Sequence, residues 1–299
     1  MRVLHELQQL ASLPPPVHVA IGVFDGVHLG HQRVIAAARG GTAVVLTFEP
    51  HPMRVLHPEK APLLLTCTPH KLMLLERLGV DAVLLLPFTE ALARTPAETF
   101  LRELTNPAHH VRKICVGSGF QFGRHREGNV ALLRQLSERL GYRVEEAAPV
   151  RTADGELISS SAVRQCVLQG RLDRAAAMLG RHFSLFGTVE VGDGRGRRLG
   201  FPTANLNPHN EVLPPDGVYA ARVGLNPAVA NIGVRPTFSE SAFGRIVEVH
   251  LLDFDGDLYG KNLDVEFVCR IRDERKFPTV EQLQAQIRSD IAAARQLLG

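Results

Sequence analysis

The chain has 299 residues, 45% of them apolar, and sets 34 Lys and Arg against 31 Asp and Glu for a formal net charge of +3. That length accommodates one large or two modest domains with real cores, while the charge balance and the absence of Trp exclude a dedicated nucleic-acid binder with a base-stacking surface. No run is apolar enough to span a bilayer, Glu6 and two glutamines replace the apolar core of a signal peptide, and Cys67, Cys115, Cys166 and Cys269 form no C-x-x-C pair, so a cytoplasmic protein with reduced thiols, no membrane partner and no zinc site is expected.

Val17, Val19, Ile21 and Val23 form an apolar run that ends in a glycine turn, and residues 29–39 read as a helix closed by Gly40 and Gly41. Strands are expected at 42–48, 80–86, 111–116 and 142–150. Helices are expected from Thr68-Pro69 to Gly79, after a capping box at Thr95-Pro96-Ala97-Glu98, and at 129–140. Alternating helices and continuously apolar strands mean a parallel sheet covered on both faces, with ligands at the carboxyl ends of its strands. Helices at 160–168 and 172–179 follow. From about residue 183, short period-two strands at 187–191, 218–223, 228–233, 246–254 and 263–271 read as an antiparallel sheet or small barrel, and Thr279 caps a final helix to Leu298. The expected domains are 1–182 and 183–299.

The densest stretch is Ile21-Gly22-Val23-Phe24-Asp25-Gly26-Val27-His28-Leu29-Gly30-His31. Its histidines stand at i and i+3 across a strand-to-helix turn, where free backbone N–H groups and the helix dipole favour an anion. Gly30 leaves no side chain to block a phosphate. Taken alone, the pair would equally suit a helix cap, and no third residue has metal-ligand spacing. Thr47-Phe48-Glu49-Pro50-His51-Pro52 ends the next strand, and His51 there suits a structural turn as well as a ligand contact. Ser159, Ser160 and Ser161 precede Arg164, which projects one turn later on the face of Ser160 and Ser161, a hydroxyl and guanidinium cradle for phosphate or simply an N-cap.

In the second half, Gly192, Gly194, Gly196 and Gly200 punctuate a loop whose amides could wrap phosphates. It is not a Walker A sequence. Pro202 pushes Phe201 toward an extended backbone, and if the run stays extended Thr203 and Asn205 point the same way, an oxygen pair suited to Mg²⁺. Glu248 shares a strand face with Ile246, His250 and Leu252, as a solvated carboxylate or a base. His109, His110 and His209 fit no motif and are expected at the surface.

The stretch at 21–31 resembles the H-x-G-H motif of the nucleotidyltransferase superfamily, and its longer form G-x-F-D-G-x-H-x-G-H resembles that of the bacterial bifunctional riboflavin kinase/FMN adenylyltransferases, the FAD synthetases. Thr47–Pro52 in numbers 47–52 is similar to that family's T-F-[DE]-P-H-P, residues 117–123 to a flavin-contacting loop, and 158–164 to I-S-S-T-x-x-R with Ser161 for Thr. Residues 187–206 resemble the riboflavin kinase glycine loop with its P-T-A-N, and 248–250 its E-V-H strand; 231–238, Asp257-x-Tyr259-Gly260 and Arg275-Lys276-Phe277 are further matches. The resemblance covers almost the whole chain in family order. It implies an α/β chain: a Rossmann-like nucleotidyltransferase domain with a parallel sheet, then a mainly antiparallel β-barrel kinase domain with a C-terminal helix.

The implied activities are phosphorylation of riboflavin by ATP to FMN in the second domain and transfer of AMP from ATP to FMN in the first, giving FAD and pyrophosphate, with Mg²⁺ accompanying ATP and the flavin as substrate and product. The roles that follow by resemblance are charge stabilisation by His28, His31 and Arg164, and general base for Glu248. Gly22, Phe24, Asp25, Gly30, Ser159, Ser160, Ser161, Gly192, Gly194, Gly196 and Gly200 would hold ATP and phosphate. Phe48, His51, Phe120, Phe122, Arg275 and Phe277 would hold flavin, and Thr203 and Asn205 the metal. The family usually carries an acidic or amide residue just before F-x-F-G, where this chain has Gly119. Two other readings stay open: a riboflavin kinase whose first domain is inactive or serves another phosphate, such as glycerol or pantetheine phosphate, and a non-catalytic flavin- or RNA-binding regulator. The sequence does not fix the oligomeric state.

Overall fold

The structure is a computed structural model that describes residues 1–192, 194–234 and 245–299. Contacts divide the chain into two compact units: Met1–Leu63 with Lys71–Ser159, and Leu64–His70 with Ser160–Gly299.

The first unit runs β1 (Arg2–Leu4), β2 (Val17–Ile21), α1 (Leu29–Ala36), β3 (Thr42–Glu49), α2 (Pro52–Leu56), then α3 (Thr68–Arg77), which begins in the second unit, and β4 (Ala82–Pro87). It continues with α4 (Glu90–Ala93), α5 (Ala97–Leu104), β5 (Val111–Gly117), a hairpin of β6 (Gln121–Phe122) and β7 (Gly128–Asn129), α6 (Val130–Leu140) and β8 (Arg143–Ala147). Six strands form one sheet in the order β1-β4-β3-β2-β5-β8, and every pairing is parallel.

The central strands β2, β3 and β4 are apolar at most positions because both faces are covered. Val17, Val19, Ile21, Val44, Leu46, Leu84 and Ile114 pack on one side with Leu101 and Leu104 of α5 and Leu133 of α6. The alternate residues Ala20, Val45, Val83 and Cys115 pack on the other with Val34 and Ile35 of α1 and Leu74 and Leu75 of α3. Burial pushes the Cys115 thiol up to about 12, so it is an inert core residue. The strand order reverses beside β2: β3 and β4 extend one way, β5 and β8 the other. A crevice at the carboxyl ends of β2 and β5 is the geometric place for a ligand.

Two local expectations fail. Thr95 and Glu98 form no capping box: α5 has Pro96 at its N-cap with no side-chain cap, Thr95 Oγ1 donates to Ala91 O at 3.2 Å, and Glu127 accepts from Ala97 N at 2.9 Å in place of a local carboxylate. His109 is not a surface residue: it is buried and its Nδ1 donates to Leu104 O at 3.1 Å.

The second unit opens with α7 (Ser160–Leu168) and α8 (Leu172–Leu179). Then come β9 (Phe183–Glu190), α9 (Arg195–Arg198), β10 (Ala204–Pro208), β11 (Gly217–Val223), β12 (Asn226–Val234), β13 (Arg245–Leu251), β14 (Asn262–Arg272) and α10 (Val280–Leu298). Six antiparallel strands close into a barrel in the order β10-β13-β12-β11-β14-β9. Tyr219, Ala230, Val249 and Ala204 are cross-strand partners and all buried, whereas Glu248, Asn231 and Asn205 lie on the opposite face. Leu252 does not share that face; it lies beyond β13 and is buried. The helix α10 covers Ala220 and Val229, and Asp290, itself buried, accepts a two-pronged ion pair from Arg272 at 2.8 and 2.9 Å.

Helices α7 and α8 group by contact with the barrel, because α8 packs on β9 and β14. Leu64–His70 also belongs to this unit through a buried polar network. Asn210 accepts from Phe186 N at 2.8 Å and donates to Leu65 O at 2.5 Å and to His70 Nδ1 at 3.3 Å. His70 Nε2 meets Ser184 Oγ at 3.1 Å and Asp264 Oδ1 at 3.3 Å. Asn210, His70, Ser184, Leu65 and Phe186 are buried and Asp264 nearly so, so removing one partner leaves the others unsatisfied. Asn210→Ala is therefore expected to destabilise the second unit by about 2–4 kcal/mol, measured by urea unfolding of the whole chain.

Candidate active sites

The first site is built where β2 ends. Phe24, Gly26 and Val27 all take positive φ, 55°, 79° and 45°, which folds the β2–α1 loop tightly enough to seat His28 at the N-cap of α1. Gln32 Nε2 holds Val27 O at 3.0 Å. His28 Nδ1 accepts from His31 N at 3.3 Å, and the two rings stack with centroids 3.6 Å apart. Since His28 Nδ1 is an acceptor, a neutral ring carries its proton on Nε2. His31 Nδ1 is buried without a hydrogen-bond partner, a position tolerable for a bare lone pair and costly for an N–H, so its proton also belongs on Nε2. The result is a stacked pair of Nε2–H donors at a helix N-terminus.

Gly30 makes room for this arrangement. A Cβ there would lie 3.1 Å from the His28 ring, so the space is used by the imidazole itself. Gly22 does the same for Phe24, whose ring would meet a Cβ at 3.0 Å. Phe24 is a core residue, edge-on to His31 at 5.2 Å, so this position offers a phosphate only its backbone. Asp25 is also buried.

Sequence reasoning missed Lys71. It is buried on the face of α3 that carries Leu74 and Leu75, and its Nζ donates to Val23 O at 3.1 Å and reaches Thr47 Oγ1 at 3.5 Å. Thr47, also buried, donates to the same carbonyl at 3.0 Å. The readable signal was a lysine standing in an apolar helical stripe.

Beside this turn, a cavity of about 1190 Å³ opens at the ends of β2, β3, β4 and β5. Its walls include Phe48, Phe88, Phe100, Phe120 and Phe122, and its rim includes Arg94, Arg124 and Arg126. Phe120 and Phe122 stack at 5.3 Å, and Phe48 meets Phe88 edge to face at 5.5 Å. The structure thus brings Gly22, Phe48, Phe120 and Phe122 together. His51 is the N-cap of α2, accepting from Met53 N at 3.1 Å. Gly119 lines the cavity, and nothing lies within 4 Å of where its Cβ would stand. Ser159 ends the first unit, whereas Ser160, Ser161 and Arg164 occupy the first turn and a half of α7 in the second.

The second site lies on the outer barrel face. Asn205 of β10 is the cross-strand partner of Glu248 on one side and Glu190 on the other, and Asn231 flanks Glu248. The four loop glycines divide into two kinds. A Cβ on Gly192 would fall 1.9 Å from Asn205 Nδ2, and one on Gly196 would fall 2.8 Å from Thr203 Oγ1. Gly194 and Gly200 meet nothing but take φ of 64° and 85°. The first pair lets the loop lie against Thr203 and Asn205; the second pair turns it. His250 Nδ1 donates to Pro202 O at 2.7 Å, fixing the strand entry. Arg275 lies over Phe277 at 4.9 Å and hydrogen-bonds Gln286, beside a cavity of about 460 Å³ against α10. Of the 231–238 match, Arg235 to Phe238 lie outside the described residues.

Burial, then the His28 charge, then the Lys71 charge hold His31 well below its ordinary 6.5. The unfolded chain takes up a proton there that the folded chain refuses. This part of the stability is complete above 6.5 and is lost as pH falls from there toward the folded value, by up to about 1.4 kcal/mol per pH unit. In the acid range, the unfolding free energy of His31→Gln is expected to fall less steeply with pH than that of the wild type, by urea titration at successive pH values.

Residues 11–162 match the FAD synthetase family and residues 179–298 the riboflavin kinase family. A bifunctional riboflavin kinase/FMN adenylyltransferase of Escherichia coli is 37% identical, covering 100% of this chain and 98% of its own. One from Haemophilus influenzae is 37% identical over 93% of this chain and 92% of its own. A crystal structure titled as a macrolide-efflux protein from Streptococcus pneumoniae superposes with a TM-score of 0.81 at 30% identity, covering 99% of both chains. Among the described residues, no helix of this chain is long and apolar enough to cross a membrane. With both domains matched in order and full-length relatives above 30% identity, the chain belongs to the bifunctional riboflavin kinase/FMN adenylyltransferase family.

Proposed function

We propose how the residues divide the family's two reactions. The observation that carries the reading is that each unit has its own phosphate-handling construction: stacked imidazoles at a helix start in one, a cross-strand Asn205–Glu248 pair under a glycine loop in the other. The functional domains are taken as 1–182 and 183–299, with the protein working in the cytoplasm on riboflavin, FMN and ATP.

In the second domain, the riboflavin 5′-hydroxyl attacks the γ-phosphorus of ATP, its proton passes to the Glu248 carboxylate, and ADP leaves. Thr203 and Asn205 supply a hydroxyl and an amide oxygen, a sparse oxygen set of the kind Mg²⁺ prefers; among the described residues, no group of three or more His, Cys, Asp or Glu competes as a metal site. Bound there, Mg²⁺ would offset the charge of the ATP phosphates. The amides of 192–200 wrap those phosphates, and Arg275 and Phe277 hold the flavin.

In the first domain, a phosphate oxygen of FMN attacks the α-phosphorus of ATP, the α–β bridging P–O bond breaks, and pyrophosphate leaves. No protein nucleophile is required. The Nε2–H groups of His28 and His31 donate to the non-bridging oxygens as charge accumulates, aided by the amides at the start of α1 and, by family resemblance, by Ser159 to Ser161 and Arg164. The phenylalanine-walled cavity takes the isoalloxazine ring.

Product analysis by chromatography, with ATP, Mg²⁺ and either riboflavin or FMN, tests the division. Glu248→Gln is expected to lower FMN formation by at least about 100-fold while adenylylating added FMN normally. Gly30→Ala, which displaces the His28 ring, is expected to do the reverse. Loss of both activities in either folded variant would overturn the assignment. The open space at Gly119 supports a second test: Gly119→Asn is expected to keep the fold and lower the KM for FMN by about 2- to 10-fold, one restored hydrogen bond.

A further inference from the structure

Lys71 is a buried cation beside the first site to which the mechanism above gives no task. A lysine in an apolar helix face costs stability through desolvation of its ammonium, and a volume-matched methionine would fit the same stripe between Leu74, Leu75 and the sheet. Its contacts show what is gained. Nζ donates to Val23 O, the carbonyl one residue before the positive-φ turn that seats His28, and reaches Thr47 Oγ1 at the end of the neighbouring strand. It therefore ties the loops leaving β2 and β3 to α3. Its charge also faces His31 together with that of His28, while Phe24 supplies an apolar edge.

We propose that Lys71 is a positioning residue for adenylyl transfer: it pins the β2–α1 loop through Val23, so that the stacked imidazoles present Nε2–H donors in one fixed geometry. The ammonium also opposes protonation of His31, after burial and His28. The proposal rests on the reading of His28 and His31 given above. It needs no contact between Lys71 and substrate.

The test uses the full chain with Lys71→Met, Lys71→Arg and, as a second neutral variant, Lys71→Gln, alongside His28→Ala. Lys71→Met is expected to stay folded by circular dichroism, yet to lose about 10- to 100-fold in kcat for FMN adenylylation with little change in KM for FMN and with riboflavin phosphorylation intact. Lys71→Arg, which keeps the charge, is expected to recover part of the rate. Without the neighbouring charge the His31 ring titrates nearer its ordinary value, so the acid limb of the adenylylation profile is expected to move to higher pH in Lys71→Met and Lys71→Gln. Wild-type kcat in Lys71→Met, or an unmoved acid limb in both neutral variants, would overturn the proposal. Wild-type adenylylation by His28→Ala would instead remove the reading on which it rests.

Discussion

Both sites depend on the absence of a side-chain carbon at a few fixed points. The His28 ring lies where a Cβ on residue 30 would press it, Phe24 where one on residue 22 would, and the Asn205 amide where one on residue 192 would stand. In each case the glycine is needed for volume, since the backbone there is not left-handed. A functional side chain laid directly on a backbone loses its freedom before any ligand arrives, and preorganised donors of this kind cost no rearrangement when charge develops. Gly194 and Gly200 show the contrasting use, in which an open surface position is needed only for its positive φ.

The two units answer the same chemical problem with opposite electrostatics. The first presents N–H groups from a helix start and from two stacked imidazoles, of which His31 is held uncharged chiefly by burial. The second presents oxygens: a hydroxyl, two amides and carboxylates on the outer, half-buried barrel face. A donor set binds phosphate directly, whereas an oxygen set binds it through a cation. On the proposed division, adenylyl transfer at the α-phosphorus falls to the donor set and transfer of the terminal phosphoryl group to the oxygen set.

Much of this was legible in the sequence because it is local. Parallel strands buried on both faces read as unbroken apolar runs, barrel strands alternate, and both 160–168 and 172–179 are helices with the bounds expected. What was not legible is non-local. The pairing of Asn205 with Glu248 is a matter of register between strands forty residues apart in order of magnitude. Strand β10 hid because it is short, polar and follows directly on a proline and a glycine loop. The cap of α5 comes from Glu127, thirty positions away. Lys71 violates the helical pattern, and such violations are where a chain gives up local consistency for a site.

The grouping of Leu64–His70 with the barrel unit sets a limit on how this gene can be divided. The chain passes from one contact unit to the other at 63/64, at 70/71 and at 159/160, so no single break separates them cleanly. A fission at 159/160 leaves Leu65 and His70, two buried partners of Asn210, on the wrong polypeptide, and a break after Leu179 also removes α8 from the strands β9 and β14 on which it packs. A free-standing kinase descended from such a chain would first have to replace seven residues that its own reading frame does not contain. The seven-residue segment therefore makes the folding of the barrel unit depend on a stretch of chain that lies within the first half of the sequence.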